Sequence, residues 1–226
     1  MNWSSVKKLI VMSILSLFCL LSTASASEVK WLKISLDKFN LFVYDEDLPI
    51  VKELEKYLEN GIGIVQKYFN KPFPKNFDVY LFPSRTELDE QWSKDWGIPK
   101  FKSECWMVAS GVAHRLDILS MDCWKTEACE HDADNKEQIQ KIIVHELVHV
   151  FHGQNNPVQD FNGMDDLGWF VEGVAVLVSG QLDSVRMSDL NEAKQVKKLP
   201  VYLKDAWSGK YRYSISGSLV KFIEKK

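Results

Sequence analysis

The sequence predicts an α+β fold: a small N-terminal mixed sheet with helices, followed by a mainly helical C-terminal lobe. Strand-like patterns occupy the first half of the chain, whereas helical patterns dominate after residue 135. The 226 residues are 46% hydrophobic and 26% charged, an ordinary globular composition without internal repeats. That length suits one domain or two small lobes, and two lobes would join near 136–152.

The predicted N-terminal elements follow from local patterns. Phe77, Val79 and Leu81 alternate with polar residues, which is typical of a half-buried strand. Ser84 and Glu87 form a capping box that opens a helix. The predicted elements are a strand hairpin at 31–45, a helix at 49–69, a strand at 76–82, a helix from 85 to about 96, and strands at 106–109 and 112–120.

The second half is predicted to begin with a polar surface loop and to continue as helices. The loop covers 122–135, and the helices cover 136–152, 167–179, 188–197 and 214–224. Asn135 is expected to cap the first of these helices with Gln138 as its reciprocal partner, and Gly153 is expected to end it.

The N-terminus is typical of a secretory signal peptide. Lys7 and Lys8 precede an apolar run at 9–21, and the small-residue sequence ASA follows at 24–26. The run is short for a membrane span, and a retained anchor helix is the alternative. We therefore predict that residues 1–26 are removed, leaving no stable membrane span, and that the mature chain is periplasmic or secreted.

The charge of the chain argues against nucleic-acid binding, and its cysteines predict a disulfide. The formal net charge of −3 offers no basic surface for nucleic acid. Cys105, Cys123 and Cys129 remain after the predicted signal peptide. In an oxidising compartment we expect one disulfide and one free thiol, and the sequence leaves all three pairings open.

The predicted helix at 136–152 is apolar around most of its circumference. At about 100° per residue, its polar side chains fall in one stripe about 80° wide. The stripe contains Gln138, Lys141, His145, His149 and His152. Such a helix is a buried central element, and its polar stripe must face a cleft, water or an ion.

His145 and His149 lie one helical turn apart, so both imidazoles can reach one metal ion. With Glu146 they form His-Glu-x-x-His, the signature of zinc hydrolases. In that chemistry a zinc-bound water is activated by Glu146, which acts as general base and then as general acid. The alternative is a structural domain without metal, in which two core histidines donate hydrogen bonds to carbonyl groups.

Glu172 is the candidate third ligand. It is the single ionisable residue in the apolar run at 169–178, where an unpaired carboxylate would cost several kcal/mol of desolvation. Two histidines and one glutamate leave a fourth position for water, as in catalytic zinc sites, and predict one zinc ion per chain. His152 is a weaker candidate ligand, and Asp165 and Asp166 are expected to cap the next helix.

HELVH at 145–149 together with WFVEGVAV at 169–176 resembles the gluzincin peptidases. The similarity is greatest to the aminopeptidase-type and peptidase MA-like branches, and it covers about 139–224. It implies that 27–226 form a catalytic domain with a zinc cleft between its lobes, acting on peptide or protein substrates. Residues 27–100 carry no matching motif.

The resemblance also implies a second catalytic residue and a substrate-binding strand. YRYSISGSLVKFI at 211–223 is similar to the segment whose tyrosine stabilises the oxyanion, which implies Tyr213, with Tyr211 as competitor. The segment 109–119 lies where the family places the edge strand that pairs with substrate. It lacks the glutamate that holds the substrate amine in aminopeptidases. In thermolysin-like enzymes an aspartate at the position of Val176 supports a histidine ligand. Valine cannot do so, and the sequence does not show which groups hydrogen-bond to His145 and His149.

These observations predict an exported zinc metallopeptidase in which His145, His149 and Glu172 bind zinc and Glu146 and Tyr213 are catalytic. The alternative is a catalytically weak or inactive zinc-containing module that binds peptides. The sequence does not distinguish endopeptidase from exopeptidase action.

Overall fold

The computed structural model describes residues 31–226, and the predicted signal peptide at 1–26 lies outside the described residues. Over the described range the chain has the predicted α+β fold, with a five-stranded mixed sheet followed by a mainly helical second half. No helix in this range is both long enough and apolar enough to cross a membrane.

The five strands form one sheet in the order β1-β2-β3-β5-β4. They are β1 Leu32–Ser35, β2 Phe39–Val43, β3 Phe77–Phe82, β4 Ala109–Val112 and β5 Arg115–Leu119. β1 and β2 make the predicted antiparallel hairpin, and β3 runs parallel to both β2 and β5. β4 pairs antiparallel with β5 and is an edge strand of the sheet.

The strand predicted at 106–109 begins later than expected, because β4 covers Ala109–Val112. Arg85 accounts for the shift. Its guanidinium donates hydrogen bonds to the carbonyls of Cys105 at 3.1 Å and Met107 at 2.9 Å, and to Ser103 Oγ at 2.7 Å. Residues 103–107 therefore curve around this side chain and are not free to extend into the sheet.

The helices predicted from periodicity are all present in the described part of the chain. They are α1 Val51–Phe69, α2 Arg85–Asp95, α4 Lys136–Asn155, α5 Gly168–Val178, α6 Ser184–Gln195 and α7 Arg212–Glu224. A further short helix, α3 Trp124–Glu127, was not predicted. α3 lies inside the segment predicted as a surface loop. Trp124 in α3 is buried, and its indole N–H donates to the Leu119 carbonyl at 2.9 Å.

Helix ends follow their caps. Ser84 and Asn135 cap α2 and α4 as predicted, each accepting a hydrogen bond from a backbone N–H three residues further along the chain. The prediction that Gln138 reciprocates was wrong, because its Oε1 accepts the Asp132 N–H at 2.7 Å and the Asn135 N–H donates to the Asp132 carbonyl. Asp183 caps α6, which therefore begins four residues before the predicted start. The prediction that Gly153 ends α4 was wrong, because the helix continues to Asn155 and Gly153 packs directly against Ala113.

α4 lies at the centre of the fold, in contact with α1, α5 and β4. Gly111 of β4 packs on the α4 backbone, and its cross-strand neighbours Leu116, Val79 and Leu41 are all buried on the same face of the sheet. This face and the helices form the apolar core. The single polar stripe of α4 is therefore the part of the helix that can face a cleft.

The other face of the sheet carries a buried ion pair. Asp117 accepts hydrogen bonds from Arg115 Nε at 2.6 Å and from the Trp92 indole N–H at 3.1 Å, and the Arg115 guanidinium stacks on Tyr80. Burial raises the pKa of Asp117 to about 6, against the attraction of Arg115. This network links α2 to the sheet.

Cys105 and Cys129 form a disulfide, and Cys123 has no disulfide partner among residues 31–226. One disulfide and one free thiol were expected, and the fold selects this pairing from the three alternatives. The bond joins the loop before β4 to the segment before α4. Trp106 and Glu130, the residues directly following these two cysteines, both line the cleft beside the polar stripe of α4.

Candidate metal centre

His145 and His149 project from the middle of α4, and both side chains are buried. Helical geometry alone places them on one face, because residues four apart lie one turn above each other. Their ring centroids are 4.8 Å apart. The local sequence therefore brings two imidazole nitrogens close together, as predicted.

Glu172 on α5 completes a group of three potential ligands. Its Oε2 lies 3.2 Å from His145 Nε2 and 3.6 Å from His149 Nε2, and one ligand atom from each residue lies within 4.8 Å of the others. Around a tetrahedral zinc ion, ligand atoms lie about 3.4 Å apart. These three residues therefore fit a metal ion, although the donor set alone does not identify the metal.

The electrostatics of this group favour a bound cation. Burial raises the pKa of the Glu172 carboxyl, but the rings of His149 and His145 outweigh it and hold that pKa well below its usual range. Burial lowers the pKa of His149, whereas the Glu172 charge and hydrogen bond raise it to about 9. Glu172 is thus a buried carboxylate that needs a positive partner, which is either a protonated histidine or a metal ion.

Gln181 is a partner of His145 that the sequence did not reveal. His145 Nδ1 lies 2.8 Å from Gln181 Oε1, so the amide oxygen can accept the ring N–H and orient Nε2 towards Glu172. His149 Nδ1 is buried without a hydrogen-bond partner among residues 31–226. A glutamine on the connection after α5 carries no sequence signal of this role, because only the folding of that connection brings it to α4.

Glu146 lines the same cleft as the three candidate ligands. The side chain is half-buried and, within the described part of the chain, forms neither a side-chain hydrogen bond nor an ion pair. A carboxylate in this position is free to exchange a proton with a molecule in the cleft. The arrangement is compatible with the predicted role of general base.

The packing of α5 on α7 brings Tyr213 to the site. Gly173, adjacent to Glu172, allows this close approach, since a β-carbon there would lie 2.5 Å from the Ser216 carbonyl oxygen. The Tyr213 ring is 6.4 Å from the His145 ring and lines the cleft. Burial and the Glu172 charge raise the pKa of Tyr213 to about 12, so its phenol remains a hydrogen-bond donor at neutral pH.

Tyr211, the competing residue, lies elsewhere. Its ring is 5.0 Å from Lys210 Nζ, and it does not belong to the cleft wall. Of the two tyrosines, only Tyr213 is positioned to contact a molecule bound beside the candidate ligands.

The weaker sequence candidates do not join the ligand group. His152 packs against the aromatic rings of Phe161 and Phe170, and its Nδ1 finds no hydrogen-bond partner among residues 31–226. Asp165 and Asp166 form a 3-10 turn before α5 but make no side-chain cap to that helix, so their predicted capping role was wrong.

The cleft has a volume of about 910 Å³. Its lining includes residues of β4, α4, α5 and the start of α7. Leu119 N–H donates to the Val108 carbonyl, so by antiparallel alternation the backbone groups of Ala109 and Gly111 point away from β5. These groups form an edge at which an extended chain can add as a further strand.

Gly111 sets the distance between this edge and the metal-site helix. A β-carbon at this position would lie 3.1 Å from the Glu146 carbonyl carbon and would meet the Glu146 carbonyl oxygen at still closer range. Only glycine allows the two backbones to approach so closely. The sequence gives no signal of this packing role, because the contact joins residues 35 positions apart in the chain.

No family model matches the chain, and no curated protein is significantly similar to it. The resemblance to gluzincins therefore rests on the motifs around His145 and Glu172 and stays a prediction. The geometry itself supports a narrower statement: His145, His149 and Glu172 can hold a metal ion.

Proposed function

We propose that this chain is an exported, single-zinc metallopeptidase. The observation that carries the proposal is the convergence of His145 Nε2, His149 Nε2 and Glu172 Oε2 beside a large cleft. Two histidines and one glutamate are the donor set of hydrolytic zinc sites that keep a position for water. When bound, zinc supplies Lewis acidity, which makes water a stronger acid and polarises a carbonyl group.

The residues of the chain would then act as follows. Glu146 accepts the proton of the attacking water and delivers it to the leaving amine. Tyr213 donates a hydrogen bond to the carbonyl oxygen as negative charge develops there, which is possible because its raised pKa of about 12 keeps the phenol protonated. Gln181 holds the His145 ring in one tautomer and orientation.

Substrate would bind as an extended peptide along β4. The outward backbone groups of Ala109 and Gly111 can pair with its main chain, while the cleft accommodates its side chains. The Cys105–Cys129 disulfide supports an exported protein, because structural disulfides persist in oxidising compartments such as the periplasm or the extracellular space.

Metal analysis and substitution of Glu146 test this proposal together. We expect about one zinc ion per purified chain and chelator-sensitive cleavage of unstructured proteins and peptides. Glu146→Gln should retain the metal and lose nearly all hydrolysis. Glu137→Gln is the matched control, because Glu137 is an exposed residue of the same helix that forms an ion pair with Lys141, and this substitution should leave zinc content and hydrolysis unchanged.

Each rival has its own outcome in this experiment. A chain that binds zinc and peptides but cleaves none of them is a peptide-binding module. A chain purified without metal, and unable to take up zinc, is a structural domain with chance histidines. Undiminished hydrolysis by Glu146→Gln would contradict the role given to Glu146.

A further inference from the structure

Arg212 occupies an unusual electrostatic position in the cleft wall. It is half-buried at the start of α7, with its guanidinium carbon 4.9 Å from the Trp106 ring centroid, 5.4 Å from that of Trp207 and 5.2 Å from that of Tyr213. All three aromatic residues line the cleft. Cation–π contacts of this kind hold a guanidinium in place without pairing its charge with an anion.

The two other long cationic side chains of the cleft are already paired. Arg186 lies 3.5 Å from Asp189, and Lys210 lies 3.1 Å from Glu192. Arg212 has no carboxylate within ion-pair distance among residues 31–226. A fixed, half-buried guanidinium with N–H groups available for a carboxylate is suited to binding one from outside the chain.

The position of Arg212 relative to β4 indicates which part of a peptide carries that carboxylate. Trp106, under the guanidinium, lies just before β4 begins at Ala109. At the opposite end of the strand, the Ala113 N–H donates to the Gln159 carbonyl, and the neighbouring Asp160 lines the cleft. The cleft therefore has an unpaired cation near the start of β4 and an acid near its end.

A peptide added antiparallel to β4 matches this polarity. Its C-terminal side would lie near Arg212 and its N-terminal side near Asp160, whereas a parallel peptide would bring its amino-terminal side towards the guanidinium. Glu130, near Trp106, and Asp160, at the other end, are both exposed, and neither forms an ion pair with Arg212 in the described chain, so the preferred direction depends mainly on the half-buried guanidinium. Charge thus favours the antiparallel direction.

The distance to the metal group limits how far along the peptide this carboxylate can lie. The guanidinium is 5.2 Å from the Tyr213 ring, which is 6.4 Å from the His145 ring, so the path spans at most about 12 Å. An extended chain rises about 3.3 Å per residue. The guanidinium therefore lies within the length of about four extended residues from the His145 ring, which places the bound carboxylate a few residues from the reacting bond.

We infer that Arg212 binds a carboxylate on the C-terminal side of the scissile bond, and that the cleft selects peptides that carry one there. This inference rests on the proposed peptidase function. The carboxylate is either the free C-terminus of the peptide or the side chain of an aspartate or glutamate. Arg212 acts as a specificity-determining residue, distinct from the residues that activate water.

Matched peptide pairs test the assignment by binding, independently of hydrolysis. Labelled hexapeptides of mixed sequence, each made as the free acid and as the C-terminal amide, are titrated by fluorescence anisotropy into zinc-loaded Glu146→Gln protein. A second set of amidated peptides differs only by Glu or Gln near the C-terminus. We expect the carboxylate forms to bind about 10- to 100-fold more tightly. A preference in the first set assigns the bound carboxylate to the free C-terminus, and a preference in the second set assigns it to an acidic side chain.

Variants then connect the preference to Arg212. In the same background, Arg212→Gln should remove most of the preference, and Arg212→Lys should retain part of it, because lysine keeps the charge but loses the planar fork. Lys221→Gln is the control, since it removes one positive charge from an exposed position on the same helix. Zinc content and the circular dichroism spectrum report whether each variant is folded. The comparison of acid and neutral peptides on protein that keeps Arg212 tests the inference even if a variant at 212 fails to fold.

The results distinguish this inference from the proposed function. Equal affinity for the acid and neutral forms, or no binding of either, overturns the role of Arg212 even if wild-type protein cleaves peptides. A carboxylate preference that depends on Arg212, found in protein without hydrolytic activity, supports the binding site and contradicts the peptidase proposal. A preference that survives Arg212→Gln assigns the carboxylate to another group and also overturns the inference.

Discussion

Gly111→Ala is the substitution that most directly tests how β4 and α4 fit together. The added methyl group would lie 3.1 Å from the Glu146 carbonyl carbon and closer still to the carbonyl oxygen, whereas ordinary contacts of this kind are about 3.5–4.0 Å. Both elements must therefore separate by up to about 1 Å. Overpacking costs about 1–3 kcal/mol, and we expect the upper end because no side-chain rotation can relieve a clash with backbone.

The assay combines stability, metal content and activity. Urea denaturation should show a free energy of unfolding lower by about 3 kcal/mol. Zinc content should persist, because the candidate ligands lie on α4 and α5 and not on β4. Peptide hydrolysis should fall about 100-fold, since a shift of about 1 Å misplaces the substrate strand relative to Glu146.

Gly63→Ala is the matched control. Gly63 is exposed in α1, and no atom lies within 4 Å of an added β-carbon, so alanine should stabilise the helix by about 0.5–1 kcal/mol. If Gly111→Ala proves as stable and as active as the wild type, the close contact between the strand and the helix does not exist. The account of substrate alignment along β4 would fall with it.

Three further substitutions test other parts of the site and fold. Tyr213→Phe should lower kcat about 100-fold without loss of zinc, whereas Tyr211→Phe should have little effect; equal effects in steady-state kinetics would contradict the oxyanion role. Gln181→Ala should weaken zinc affinity about 10- to 100-fold in competition with a chelator, because the His145 ring loses its orienting partner, and unchanged affinity would show that the contact is unimportant. The folded pKa of Asp117, about 6, exceeds its ordinary value of 3.8, so its contribution to stability is full below about pH 4 and is lost as pH rises through 6. Relative to Asp117→Asn, urea denaturation of the wild type should therefore show a free energy of unfolding that falls by up to about 3 kcal/mol between about pH 4 and pH 7, and a difference independent of pH would contradict the raised pKa.

Local patterns predicted the framework of the site well. The spacing of His145 and His149 was sufficient to place both rings on one face, because the geometry of a helix is determined by hydrogen bonds between residues close in sequence. Glu172 was recognisable because an ionisable residue in an apolar helix requires a partner. The convergence of these three side chains is the feature of the site that sequence reasoning anticipated best.

Predictions failed where a distant residue decided the local structure. β4 begins late because Arg85, on α2, holds the carbonyls of Cys105 and Met107. α4 continues past Gly153 because that residue is buried against Ala113, so a glycine that resembled a helix stop is a packing contact. In both cases a tertiary contact outweighed the local preference.

By itself, the sequence determined the α+β order of elements, the polar stripe of α4 and the identity of the three candidate ligands. These features depend on periodicity and on the free energy of burying charge, both of which can be read from neighbouring residues. Only the tertiary structure decided that Cys105 pairs with Cys129, that Tyr213 rather than Tyr211 lines the cleft, and that Gln181 supports His145. It also placed the unpaired charge of Arg212 at one end of β4. The reason is that these contacts join segments far apart in the chain, and a local pattern shows which face of an element is buried but not which distant residue packs against it.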